Sequence, residues 1–334
     1  MESRALEEIV TMIGRSIRCI ACASLISAGG AIAQDKPANY PTRPVRLIVS
    51  VQPGAGADAM ARAAAQMLTD ALGQNVVVDN RPGGSGVIAA ETVARAAPDG
   101  YTLLTHGETL MILSALKKVP ELLKTFDPIV STSTQPYVML VQPGLPVKSI
   151  KELVAYSNTQ RLTYSGSAGV GSAVHLGMER FTQLSGAKLL FVPYKGSAPA
   201  IIALMGGEIQ VALGSAIAAS NAMRTGKVRA LATLGPARIP SMPDIPTVAE
   251  QGFPGFKITN RYNVFTPAGT AKPIINVINR VIGEGMHSPQ MAQRLAADGA
   301  QPAERMSPAQ LRETIAHEYA EIQQQVKQMG SKIQ

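Results

Sequence analysis

The chain has 334 residues, a formal net charge of +8, four histidines, two cysteines and no tryptophan. That length is more than one hydrophobic core usually takes, so two domains are expected. Its lysines and arginines are scattered, with no basic run, which speaks against a nucleic-acid surface and leaves a diffuse positive field suited to a small anion or an anionic membrane surface.

Arg15 and Arg18 precede the weakly apolar run CIACASLISA at 19–28, and Ala31-Ile32-Ala33 offers the small-x-small pattern that a signal peptidase cuts. Residues 1–33 are therefore expected to be a secretory signal cleaved near Ala33, which sends a soluble mature chain to the periplasm. The run is too short to span a bilayer. Glu2, Glu7 and Glu8 are unusual upstream of such a segment, so both Met1 and Met12 stand as candidate starts. Cys19 and Cys22 fall inside the signal and no LxxC box is present, leaving no disulfide, thiolate metal site or lipid anchor in the mature chain.

Strands then alternate with helices along nearly the whole length. The apolar runs VRLIVSV (45–51), NVVVDN (75–80), YTLLTH (101–106), YVMLVQ (137–142) and LTYSGS (162–167) read as strands, and so do KLLFVPY (188–194), IQVALGS (209–215), VRALATL (228–234) and YNVFTP (262–267). Continuous apolar runs suit strands covered on both faces, so the class is α/β with parallel sheets. After the first strand, Asp58 reads as a helix N-cap, Met60, Ala64, Met67, Leu68 and Leu72 as one apolar stripe, and Gly73 as the stop. Thr247 and Glu250 make a capping box, and Ser307-Pro308 opens a last helix to Met329 with Leu311, Ile315, Tyr319, Ile322 and Val326 on one face.

Five segments share one layout, a strand followed by a turn rich in Gly, Ser or Thr and then a helix: 52–58, 105–109, 165–172, 194–198 and 213–216. In parallel sheets such turns lie at the carboxyl ends of strands, where ligands collect. The first contains Gly54, Gly56 and Ala59 in the spacing GxGxxA, with Asp79 closing the next strand, a near match to a dinucleotide fingerprint. Export argues against a nicotinamide cofactor, and Asp58 puts a negative charge where a pyrophosphate would approach. What the turn keeps is a set of backbone N–H groups aimed at an anion, with the positive end of a helix behind them.

The ordered motifs YPTRPVRLIV…PGAGAD, VVDNRPGGSG, AAPDGYTLL, LPVKSIKEL, VPYKGSAPA, PDIPTVAEQG and TPAGT resemble the substrate-binding receptors of tripartite tricarboxylate transporters, the Bug-type family, over roughly residues 40–330. The resemblance implies a type II periplasmic binding-protein fold, with two α/β lobes joined by two crossing strands and a ligand cleft between them. On this chain it maps lobe 1 to 34–138 plus 260–334, lobe 2 to 139–259, and the crossings to YVMLV and YNVFT. It further implies a small organic carboxylate as ligand, membrane subunits of such a transporter as partners, a monomer, and no metal, cofactor or nucleic acid.

In that mapping Gly54, Ala55, Gly56 and Ala57 offer main-chain donors and Asp58 caps the helix, while Ser167, Gly169, Gly171 and Ser172 donate from the opposing lobe. Departures from the family pattern bear on the ligand. Gly214 and Ser215 stand where many members carry Asp-Asn, which removes an acidic partner for an amino group. His106 and Glu108 vary a loop usually rich in Ser or Thr, and Arg261 either meets a second anionic group or lies outside the cleft. His175, in the first turn of a helix, either faces the ligand or is satisfied by its own cap, and Tyr194 reads as cleft lining.

Enzymatic alternatives are weak, since there is no GxSxG elbow, no HExxH and no P-loop lysine. The expectation is therefore a solute receptor. A ligand receptor for a membrane sensor kinase and, further off, an exported hydrolase are the alternatives.

Overall fold

Residues 39–166 and 169–329 are described by a computed structural model. The expected signal peptide, its cleavage site and Ser167 lie outside these residues. Contacts divide the chain between Tyr40 and Pro41, and every element below belongs to the second unit.

The order is β1 (Val45–Val49), α1 (Gly56–Leu72), β2 (Val76–Asn80), α2 (Val87–Ala94), β3 (Thr102–His106), α3 (Thr109–Ala115), α4 (Leu122–Thr125) and β4 (Phe126–Val141). It continues with α5 (Ile150–Thr159), β5 (Leu162–Gly166), α6 (Ala173–Ser185), β6 (Leu189–Phe191), α7 (Ser197–Gly206), β7 (Val211–Ser215), α8 (Ala216–Met223) and β8 (Arg229–Thr233). The chain then returns through β9 (Thr259–Pro267), α9 (Lys272–Met286), α10 (Pro289–Ala297), β10 (Gln301–Pro302) and α11 (Pro308–Met329). Among the described residues no helix is long and apolar enough to cross a membrane.

The strand order is β2-β1-β3-β9-β4-β7-β5-β6, with β8 and β10 also pairing β4. β1 is parallel to β2 and β3, and β5 is parallel to β6 and β7. β9 is antiparallel to β3 and β4, and β4 is antiparallel to β7 and β8. The sheets are thus mixed rather than purely parallel, because β4 and β9 run against their neighbours at the centre.

β4 passes through both half-sheets: Phe126–Pro136 pairs with β9, and Tyr137–Val141 pairs with β7 and β8. The crossing therefore falls between Pro136 and Tyr137 on one strand and at Ile258–Thr259 on the other. The sequence runs 137–141 and 262–266 lie to either side of it. The first part of β4 escaped the sequence reading because Pro128, Pro136 and the run Ser131–Thr134 break the apolar signal. Burial there is polar and only partly satisfied, with Ser131 Oγ donating to Asn263 Oδ1 at 2.7 Å and Thr132 Oγ1 to the Tyr262 carbonyl at 3.1 Å, while Ser133 Oγ and Gln135 Nε2 find no partner among the described residues.

Strand alternation explains how β4 serves two cores. Tyr137, Met139 and Val141 pack with Tyr164, Phe181 and Phe256 on one face, while Val138 and Leu140 pack with Ala200, Leu204 and Ala219 on the other. A separate cluster joins Ile48, Leu104, Leu113 and Phe126 to Leu311, Ile315, Tyr319 and Ile322 of α11. That helix opens on the Ser307 cap, whose hydroxyl accepts from the Gln310 amide at 3.3 Å, and its apolar face is the one its spacing predicts. The Thr247–Glu250 capping box also forms, through reciprocal bonds of 2.7 and 2.9 Å, although it closes a turn rather than a helix.

The Tyr319 hydroxyl lies 2.9 Å from Ser114 Oγ, which accepts from the Leu122 amide. Tyr319→Phe is expected to lower stability by about 1 kcal/mol in urea unfolding, the net worth of one buried hydrogen bond.

Candidate ligand-binding site

The first turn is held in shape by a carboxylate. Asp58 Oδ2 accepts from the Gly54 amide and from Arg62 Nε, both at 3.0 Å, and its Oδ1 accepts from Asn80 Nδ2 at 3.0 Å. The same Asn80 amide reaches the Val51 carbonyl at 2.9 Å. Burial opposes ionisation of Asp58, but the bonds from Arg62, Gly54 and Asn80 outweigh it and hold the carboxyl below its usual range. Two expectations change. Ala55, with extended backbone, occupies the N-cap position and Asp58 stands in the first turn. The Gly54 amide is spent on Asp58. The amides of Gly56 and Ala57, at the head of the 17-residue α1, have no acceptor among the described residues.

The second turn follows β3. His106 is 1% exposed, and burial pushes its imidazole down to about 4, partly offset by the bond to the Gly107 carbonyl, so it is neutral at pH 7. Nδ1 lies 3.2 Å from that carbonyl, and Nε2 has no partner among the described residues. Nε2 abuts Gly86, where a Cβ would come within 2.3 Å of it. Gly86 has φ 104°, so only glycine both adopts this backbone and admits the ring.

Three turns approach from the opposite half-sheet. Gly196 lies close to Gln52, and Ser197 opens α7. Ser215 caps α8, its Oγ accepting from the Ala218 amide at 3.4 Å. A Cβ on Gly56 would meet this Oγ at 2.6 Å, so α1 and α8 start face to face. The 169–173 turn crosses the gap, with the Val170 carbonyl accepting from Ser85 Oγ at 2.6 Å and the Ala173 amide donating to Thr109 Oγ1 at 3.2 Å. Ser85 makes this contact from a left-handed backbone, φ 59°, which is strain concentrated at the gap.

The first two turns and the Ser197 turn, with the crossing strands, enclose a central cavity of about 30 Å³. Ser50, Val51, Ala55 and Ala57 line it from the first turn and His106, Gly107 and Thr109 from the second, with Ser197 opposite. Tyr137, Asn260 and Tyr262 of the crossing strands form its back. No Asp, Glu, Lys or Arg is among them. The Tyr262 hydroxyl bonds to the Asn260 and Ser215 side chains, and burial pushes it up to about 12, so it remains a protonated donor. Positive potential here comes from helix starts, and the Asp58 carboxylate behind the first turn is already paired with Arg62.

Not every sequence-predicted residue reaches this cavity. The Gly171 amide donates to His175 Nδ1 at 3.1 Å, the Ser172 amide to the Gly169 carbonyl at 3.1 Å, and Ser172 Oγ accepts from the His175 amide. The Gly171 and Ser172 amides are therefore spent within their own loop, which makes contact across the gap. His175 is held by that loop and by stacking on Phe191 at 4.5 Å, away from the cavity. Burial, aided by the Lys118 charge, holds its imidazole below the usual range.

Gly214 faces Ile201 in the core, and Tyr194 bonds Glu208 at 2.9 Å on the outer rim. Arg261 points to the opposite face of β9 from Asn260 and Tyr262 and pairs with Glu318 at 2.5 Å. Ser50, Thr109, Tyr137, Ser197, Asn260 and Tyr262 were missed. Thr109 and Ser197 lay inside turns the sequence marked, and the crossing-strand residues carried no comparable signal.

The family model for the tripartite tricarboxylate transporter family receptor matches residues 60–331. Protein BugT of Bordetella pertussis is 35% identical over 314 residues, covering 92% of this chain and 96% of its own. Among solved structures, an R. palustris protein with adipate is 30% identical with a TM-score of 0.81, over 86% of this chain and 97% of that one. MatC from Rhodopseudomonas palustris with bound malate is 28% identical with a TM-score of 0.79, over 86% and 100%.

Proposed function

Since this chain belongs to the tripartite tricarboxylate transporter receptor family, we propose that it captures a small organic carboxylate in the periplasm and delivers it to the membrane subunits of such a transporter. In this reading, lobe 1 (34–138 plus 260–334) and lobe 2 (139–259) close on the solute about the two crossing strands, and the protein works as a monomer that leaves its ligand unchanged.

The observation that carries the reading is the convergence of the starts of α1 and α7 on a polar cavity whose lining holds no charged side chain, with the Ser215 cap of α8 bonded to Tyr262 at its back. The free amide of Ala57 and the hydroxyls of Ser50, Ser197 and Tyr262, all in the lining, suit carboxylate oxygens. Hydrogen bonds to a charged group contribute about 1.5–3 kcal/mol each. Four of them cover the roughly 8 kcal/mol of micromolar binding after ordering costs. An ammonium group would find no carboxylate in the lining, so amino acids are disfavoured. The malate and adipate held by the solved relatives are of the favoured class.

A thermal-shift screen of mono- and dicarboxylates, including malate and adipate, tests this. At a hundredfold excess over Kd a bound solute adds about 2.7 kcal/mol, which raises Tm by roughly 5 °C. The bound compound should be recovered intact by mass spectrometry. No shift with any carboxylate, or recovery of a cleaved product, would defeat the proposal.

A further inference from the structure

A second cavity, of about 620 Å³, lies between the half-sheets beside the central one. Gly83, Gly84 and Ser85 line it from the first half-sheet and Val170 from the second, and the bond from Ser85 Oγ to the Val170 carbonyl crosses it. Two lysines also line it, one from each side: Lys118 follows α3, and Lys195 lies between β6 and α7. No acidic side chain is in this lining, and neither ammonium makes an ion pair or hydrogen bond among the described residues. Glu208 accepts from the hydroxyl of Tyr194 at 2.9 Å and is not part of the wall.

The outer cavity adjoins the central one at two places. Gly86, next after Ser85, lies against the His106 ring, and Lys195 shortly precedes Ser197 in the chain. His106 and Ser197 both line the central cavity.

The two cavities have complementary electrostatics. The central lining offers hydroxyls and amides but no charged side chain, and such groups act over the length of a hydrogen bond. Attraction at longer range needs net charge. Lys118 brings it to the gap: its Nζ would lie 3.9 Å from a Cβ on Gly171, and its charge acts on His175. Both lysines are exposed, so neither holds a single anion firmly. A cleft lined by one sign of charge still concentrates counter-ions, because its low-dielectric walls focus the field and no fixed contact is required.

Building on the receptor reading above, we propose that the outer cavity is an entry station for small organic anions: Lys118 and Lys195 gather carboxylates between the half-sheets and speed their passage to the central cavity. The lysines act on capture and not on retention.

The first test needs no solute. Paramagnetic relaxation of the backbone amides is compared between a carboxylated, anionic nitroxide and a neutral carboxamide nitroxide with the same ring. At an ionic strength of about 0.01 M the anionic probe should relax the amides of Gly84, Gly169 and Val170 about threefold more than the neutral one. That preference should vanish in about 0.5 M salt and in the double variant Lys118→Gln/Lys195→Gln. The second test is stopped-flow binding of malate and of adipate at low salt. Capture should be about tenfold slower in the double glutamine variant, with dissociation within about twofold of wild type. Lys118→Arg/Lys195→Arg should keep the wild-type rates. An anion preference that the glutamine variant abolishes supports the entry station. Equal relaxation by the two probes overturns it, and so does a variant whose loss lies in dissociation alone. If neither carboxylate binds while the lysine-dependent probe preference persists, the solute reading fails and the anion-gathering cavity stands.

Discussion

Gly56→Val is expected to weaken carboxylate binding at least a hundredfold while leaving the fold intact. A Cβ at position 56 would come within 2.6 Å of Ser215 Oγ and 2.8 Å of the Tyr262 hydroxyl, and within 3.2 Å of Ser215 Cβ. Gly56 is the first residue of α1 and has no left-handed backbone, so valine is compatible with the local chain. The conflict lies across the gap between half-sheets. A branched side chain there props α1 away from α8 and removes the facing arrangement that gathers amides on the solute. Loss of about four charge-assisted bonds far exceeds the roughly 2.7 kcal/mol that a hundredfold corresponds to. Gly56→Ala, with less bulk, should show a smaller loss. Calorimetric titration with malate and adipate, beside a far-ultraviolet dichroism spectrum, measures both halves of the prediction, and a valine variant that binds within threefold of wild type would refute the geometry. Gly171→Val is a weaker test of the same idea, because φ 76° and Leu116 at 3.0 Å make valine strain its own loop as well.

Much of this geometry was legible in local signals. The five turns rich in Gly, Ser and Thr follow strands and open helices, and those at 52–58, 105–109 and 194–198 contribute residues to the cavity lining. The helix stripe of α1, its Gly73 stop and the Ser307 cap were legible for the same reason, since each is a contact within a few residues. What sequence could not supply was the partner of each donor. Nothing in SGSAGVGSAVH announces that the Gly171 amide turns to His175 and the Ser172 amide to Gly169. A glycine loop advertises free amides, and a helix cap four residues on consumes them.

The crossing strands posed a different difficulty. Among their buried positions are the polar residues Ser131, Thr132, Ser133, Gln135, Asn260 and Asn263, and the bonds of Ser131 to Asn263 and of Thr132 to the Tyr262 carbonyl exist only once β4 and β9 pair. Periodicity of apolar residues is silent over such a stretch. For that reason β4 was seen from 137 only, and Asn260 and Tyr262, which back the central cavity, were not singled out. Arg261 illustrates the cost: strand alternation puts it on the face opposite Tyr262, but its partner Glu318 lies on a helix 57 residues on.

Asp58→Ala should cost about 3 kcal/mol of stability and weaken solute binding tenfold or more. The carboxylate is 4% exposed and accepts from the Gly54 amide, Arg62 and Asn80. Alanine leaves the Gly54 and Asn80 donors unpaired in a part-buried turn, at about 1–3 kcal/mol for each group. It also removes an acid from the first turn of α1, where the helix dipole favours it. Arg62 stays in water and adds little. With the clip gone, the turn no longer holds the Gly56 and Ala57 amides toward the cavity, so affinity falls along with stability.

The pH dependence separates this from a packing defect. Because the folded carboxyl is held below its ordinary value of 3.8, its contribution is complete well above that value and is lost as pH falls through the lower folded value. Urea unfolding should therefore show the full gap between wild type and Asp58→Ala at pH 7 and a narrowing gap toward pH 3. Asp58→Asn, which keeps one acceptor oxygen, should fall between the two proteins at neutral pH. A gap that stays constant from pH 7 to pH 3 would assign the loss to packing and remove the carboxylate from the account of the turn.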